Sequence, residues 1–190
     1  MSAGYWETLS TLQAQGTAIT AAARTSMTVG STQARFTLPP NKIKNIGDQF
    51  RMVATGIISC AVTTPGTARF DLGFGANVVM DTQAINLNVV AKTSVGFALV
   101  MIGTVRAVGI AANIHWQGTW ISEAGIGAPL AAVGGNAGFT VPYNTAAPGV
   151  GANFDSTVAN LIDFFFTQTV ATGSCTLNDF NLSFCTATGY

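Results

Sequence analysis

The chain has 190 residues, eight basic and eight acidic side chains, one histidine and a formal net charge of zero. Charged residues make up 8% of it, against about 25% in an average soluble domain. So few balanced charges argue against the phosphate-neutralising patch of a nucleic-acid binder. The 48% hydrophobic content argues against a disordered chain.

A chain of this length can bury a core as one domain. Residues 1–30 show little periodicity: Tyr5 and Trp6 precede a run of polar and small residues through Ala21, Ala22 and Ala23. Two readings stay open for this stretch, an extended arm with an aromatic anchor and an ordinary first strand. Residues 31–190 read as a single all-β domain. After Phe36 the segment Leu38-Pro39-Pro40-Asn41 breaks the chain. Phe50, Met52, Ala54, Gly56, Ile58, Cys60 and Val62 then fall on one parity, the signature of a half-buried strand. Thr64-Pro65-Gly66-Thr67 places proline and glycine where a type II turn needs them. Ala68, Phe70, Leu72 and Phe74 alternate after it, so the two strands are expected to pair as an antiparallel hairpin.

Ile85, Leu87 and Val89 alternate with asparagines and predict another strand. Val95 to Gly109 is apolar on both parities at first, which predicts a central strand covered on both faces. This run is about half the ~20 residues of a membrane-spanning helix. Extension would place Arg106 near its centre, so no membrane span is expected. Ile114, Trp116 and Trp120 share a face opposite His115, Gln117 and Thr119. Residues 123–153, rich in Gly, Ala, Pro and Asn, read as a long loop with one short strand near Phe139 to Pro142. Within 155–170 a helical stripe competes with the β-favouring run Phe164 to Val170; strand is preferred. Phe180, Leu182 and Phe184 alternate into a last strand. Eight or more short strands with turns between them point to a sandwich or jelly roll.

Glu7, with no basic residue before Arg24, does not suit a signal peptide, so synthesis in a reducing cytoplasm is expected. Cys60, Cys175 and Cys185 are odd in number. On one extended strand the last two would lie roughly 33 Å apart at ~3.3 Å per residue, far beyond the about 7 Å that a disulfide spans. A tight turn at Asn178-Asp179 is the alternative. The simplest expectation is three small, buried, reduced side chains.

The residues offer little chemistry. His115 has no clustered ligand partners, and no metal, cofactor or catalytic residue is assigned. The acids lie mostly at turns and strand ends. Asp71 is expected to form a solvated pair with Arg69 on one strand face. Asp163, amid Phe164 to Phe166, needs a partner if buried, and an arginine such as Arg106 is the expected one. A hydrolase using two scattered acids remains a minor reading.

Four ordered segments carry a resemblance. They are Leu38-Pro39-Pro40-Asn41, Thr63-Thr64-Pro65-Gly66-Thr67, Asn113-Ile114-His115-Trp116, and the run from Thr157-Val158-Ala159-Asn160 through Phe165-Phe166-Thr167-Gln168 to Ala171-Thr172-Gly173-Ser174. Over residues 36–184 the chain resembles virion structural proteins of tailed bacteriophages. The resemblance implies a jelly-roll domain of the kind found in capsid decoration (cement) proteins and in fibres, commonly trimeric, with no catalytic residues. The implied partners are other copies of the chain and the major capsid protein or other virion proteins, with neither nucleic acid nor membrane. The N-terminal segment and the 123–153 loop depart from the pattern. As a decoration protein on the head, the chain would reach neighbouring subunits through Tyr5 and Trp6. As a fibre or spike module contacting host glycan, it would use Trp116, Trp120 or the glycine-rich loop. Trp116 and Trp120 share a face with Ile114, so core packing is the preferred reading for both.

Overall fold

Alternating side chains give each strand an apolar and a polar face, and a protein that must bury the apolar faces stacks its sheets. The computed structural model describes residues 5–29, 34–61, 64–126, 138–142 and 152–187. Their strands are β1 (Trp6–Thr11), β2 (Thr25–Ser26), β3 (Phe36–Leu38), β4 (Gln49–Cys60), β5 (Thr67–Phe74), β6 (Asn77–Asp81), β7 (Ile85–Asn86), β8 (Lys92–Ala107), β9 (Asn113–Ser122), β10 (Gly138–Val141), β11 (Asn160–Gln168) and β12 (Ser174–Cys185). They build two antiparallel sheets. The first, sheet A, runs β1-β12-β4-β8-β9-β10; sheet B runs β2-β11-β5-β6, with β3 on β11 and β7 on β5. The fold is all-β, a jelly-roll-like antiparallel sandwich, as the strand pattern predicted.

Aromatic rings fill the space between the sheets. Phe50, Phe180 and Phe184 from sheet A meet Phe70, Phe74, Phe164 and Phe166 from sheet B, each at most 1% exposed. Phe164 and Phe180 stack across the gap at 5.2 Å, and Phe50 meets Phe74 edge-on at 5.8 Å. Each such ring contributes about 1.5–3 kcal/mol through burial. The β4 alternation holds from Phe50 to Cys60; Val62 lies outside the described residues. The preferred strand reading of 160–168 holds as β11, and a short strand lies at 138–141 as β10. The rest of the predicted 123–153 loop is described only at 123–126, 142 and 152–153.

Three expectations need correction. The segment through Pro65 and Gly66 does not close a hairpin. β4 pairs with β8 and β12 in sheet A, whereas β5 pairs with β11, β6 and β7 in sheet B. Gly66 has the positive φ (69°) that the turn demanded, but the turn carries the chain between layers. The Thr169 hydroxyl accepts from the Thr67 amide, and the Gly66 carbonyl accepts from the Leu87 amide, tying the crossing to sheet B. Alternation requires only that each strand have a covered apolar face, and facing across the sandwich satisfies that as well as pairing does. β8 is central in sheet A but covered on one face only, since Val100 and Ile102 are 36% and 52% exposed. The predicted strand around Ile85 to Val89 shrinks to β7, with Val89 left 44% exposed.

The N-terminal segment is tied to the sandwich. β1 pairs with β12, and the chain then follows the same edge. The Leu12, Gly16 and Ile19 amides donate to the carbonyls of Phe180, Leu177 and Cys175. β2 then joins sheet B beside β11. Residues 6–28 thereby link the two sheets along one side.

Candidate functional site

The carboxylates are used structurally. Asp163 is 5% exposed and sits on the outer face of β11 beneath the N-terminal segment. It accepts hydrogen bonds from the hydroxyls of Ser26 (2.6 Å) and Thr28, and pairs with Arg35 at 3.2 Å. Arg35, not Arg106, is its partner, because Arg35, immediately before β3, which pairs with β11, lies within reach of this face. Asp71 is not solvated beside Arg69 either. It is 2% exposed and held by both Nε and Nη2 of Arg24, whose guanidinium lies 3.4 Å above the Phe165 ring. Arg69 turns instead to Asp81, and that hydrogen bond raises its pKa above the ordinary guanidinium value. Local sequence suggested i, i+2 pairing; the true partners come from a neighbouring strand and a distant segment.

The other acids also have local duties. Asp48 accepts from the amides of Lys44, Asn45 and Ala187. Asp155 accepts from the amide and hydroxyl of Thr157, as its turn position suggested. Glu7 pairs with Lys42 and Glu123 with Lys92. Among the described residues no three His, Cys, Asp or Glu side chains converge as a metal site requires.

The four aromatic residues nominated for attachment separate into two groups. Trp116 and Trp120 are 1% and 0% exposed, so neither ring can meet a sugar or a partner protein. Their shared face with Ile114 is the core face. Trp116 packs against Phe50 (6.0 Å) and over Gly103, the residue directly opposite it on β8. Tyr5 and Trp6, at the β1 edge, are 85% and 47% exposed.

All three cysteines are free. Cys175 and Cys185 lie on one strand, and the Asn178-Asp179 step is a bulge in β12, not a tight turn. Cys60 and Cys175 are buried, but Cys185 is only half-buried, which corrects the expectation for that residue. Burial pushes the Cys175 thiol well above its ordinary pKa, and only the thiolate is a good nucleophile. Iodoacetamide should therefore alkylate Cys185 first in the native protein and reach Cys175 only on unfolding. Peptide mass mapping after timed labelling would show the order; early label at Cys175 would contradict it.

The feature that alternation alone did not disclose is the outer face of sheet A. Its rows follow from the register. Asn181, Val53, Val100, Thr119 and Thr140 lie side by side across five strands. One row toward one end come Asp179, Thr55, Ala98 and Ile121; one row toward the other come Ser183, Arg51, Ile102 and Gln117. In these three rows only Asp179 and Arg51 carry charge. A solvated surface is ordinarily about 25–35% charged. Val100, Ile102 and Ile121 stand 36%, 52% and 50% exposed here. No other part of the described chain covers them. The signal was in the sequence, since β8 is apolar on both parities; it marks exposed apolar residues on the outer face and not a second internal layer.

No protein-family model matches the chain, and no curated protein matches its sequence. Solved structures that resemble it include the CBM2 module of the evolved Dit of Lactobacillus casei BL23 phage J-1. That match has 9% identity over 82% of this chain and 70% of the other, with a TM-score of 0.29. A likeness of that size carries no argument about function.

Proposed function

We propose that the chain is a non-enzymatic structural protein of a tailed-bacteriophage virion, in the role of a capsid decoration (cement) protein. The observation that carries this reading is the outer face of sheet A, sparse in charge over its three central rows, with Val100, Ile102 and Ile121 exposed on it. A face of that composition suits permanent cover by other protein, since obligate interfaces are more apolar than free surface. The ordered segments that resemble phage virion proteins give the setting. The major capsid protein, or another shell protein, and further copies of the chain are the proposed partners. The virion is its place, after synthesis in the host cytoplasm. A non-enzymatic role agrees with the carboxylates: Asp71 and Asp163 are each neutralised by an arginine. The alternative fibre or spike module loses Trp116 and Trp120 as stacking rings; its other nominated contact, the glycine-rich loop, lies mostly outside the described residues.

Quantitative mass spectrometry of purified virions tests the reading. The expected copy number is comparable to that of the shell subunits. A few copies per particle would exclude decoration of the head, and absence from the particle would overturn the virion reading.

A further inference from the structure

The outer face of sheet A is complementary to itself. Its acid, Asp179, lies one row to one side of the Asn181-Val53-Val100-Thr119 row, and its base, Arg51, lies one row to the other. Rows on one face are two residues apart, so the two charges are separated along the strands by roughly 13 Å. A two-fold axis in the plane of the face, perpendicular to the strands and along the middle row, exchanges the outer rows. It lays Ala98 of one copy on Ile102 of the other, small against large, and Ile121 on Gln117. It also brings Asp179 of each copy beside Arg51 of its mate, next to Ser183. Residues on the axis meet their own copies, which demands that they be neutral. Asn181, Val53, Val100 and Thr119 are.

We propose that this face is the contact between two copies of the chain, packed sheet on sheet in an isologous dimer. The two sheets would stack about 10 Å apart, as sheets do inside a sandwich. One surface whose acidic end fits its own basic end favours closed two-fold symmetry. A cyclic trimer requires two different patches. The proposal rests on the reading that this face is covered in the assembled protein, and it names what covers it.

Sedimentation velocity on the full chain at micromolar concentration tests it. The expected particle has twice the 19.6 kDa of the chain. Ile102→Asp should sediment as a monomer with an unchanged far-UV circular dichroism spectrum, because Ile102 is half exposed in the single chain. Arg51→Asp and Asp179→Arg should each weaken the dimer at least tenfold, and the double variant Arg51→Asp/Asp179→Arg should restore it. That rescue guards against mistaking misfolding for lost contact. A wild-type monomer or trimer would overturn the two-fold proposal, as would a dimer indifferent to Ile102→Asp or a double variant no better than the singles. A trimer would leave the virion reading intact. Absence from virions, with the dimer present, would overturn that reading alone.

Discussion

Gly103→Val is expected to destabilise the protein by about 3 kcal/mol, at the upper end of what overpacking a core costs. Gly103 lies on the inner face of β8, directly opposite Trp116 on β9. The indole covers it so closely that a Cβ would stand 2.7 Å from the ring atoms Cδ2 and Cε2. The ring has little room to retreat, since it is 1% exposed and backed by Phe50 at 6.0 Å. A glycine inside a strand often marks such an approach; outside the strands, a Cβ at Gly125 would likewise meet the Trp120 indole. The control lies seven residues away on the same strand. A Cβ at Gly96 meets nothing within 4 Å, so Gly96→Val should change stability by no more than about 0.5 kcal/mol. Urea denaturation of both variants measures the contrast; equal midpoints would show that the indole is not what fixes position 103.

Asp163→Ala should cost about 3 kcal/mol, through loss of hydrogen bonds to a charged acceptor and of an ion pair on the buried side of a covering segment. The carboxylate gathers Ser26, Thr28 and Arg35 from the N-terminal segment onto β11. Without it two hydroxyls lose their acceptor and Arg35 loses its anchor. Arg35 is 39% exposed, so its freed charge can be solvated, which keeps the loss below that of a fully buried pair. The damage should be local first. Amide hydrogen exchange should accelerate at Thr25 to Thr28 well before the core strands respond. Arg35→Ala should cost less than Asp163→Ala, because the two hydroxyl bonds survive it. Equal costs would mean that the Arg35 pair carries the whole effect and the hydroxyl bonds add nothing; no change in exchange at Thr25 to Thr28 would mean that the segment is held by its backbone bonds alone. A hydrolase using Asp163 would instead lose turnover with stability intact.

Period-two alternation made the strands legible, because it records which face of each is covered. β4, β5 and β9 could be read residue by residue on that basis, and β12 only over Phe180 to Phe184. The partners could not. The crossing at Pro65-Gly66 uses the same residues as a hairpin turn, and alternation is blind to whether the covered face looks across a sandwich. Ion pairs failed for a related reason. Arg69 and Asp71 lie two apart on one strand, but Arg24 and Asp81 reach them from elements whose proximity is a property of the whole fold. The aromatic nominations show the limit for sites. Trp116 and Trp120 carried a strong periodic signal, and it was a signal of burial. The outer face of sheet A was hidden by the opposite error, since apolar residues on both parities of β8 suggested a deeper interior.

The position of β12 has a consequence for synthesis. It is the last strand described, yet it lies between β1 and β4 and bridges the first strand to the rest of sheet A. On the ribosome β1 therefore has no partner, and β4 has one edge open, until residue 185 emerges. Contacts so distant in sequence close slowly, and exposed strand edges in a nascent chain invite aggregation. With 8% charged residues the chain has little repulsion to keep copies apart during that interval. Soluble yield should therefore fall steeply with faster expression, and chaperone supply should matter more for this protein than its final stability suggests.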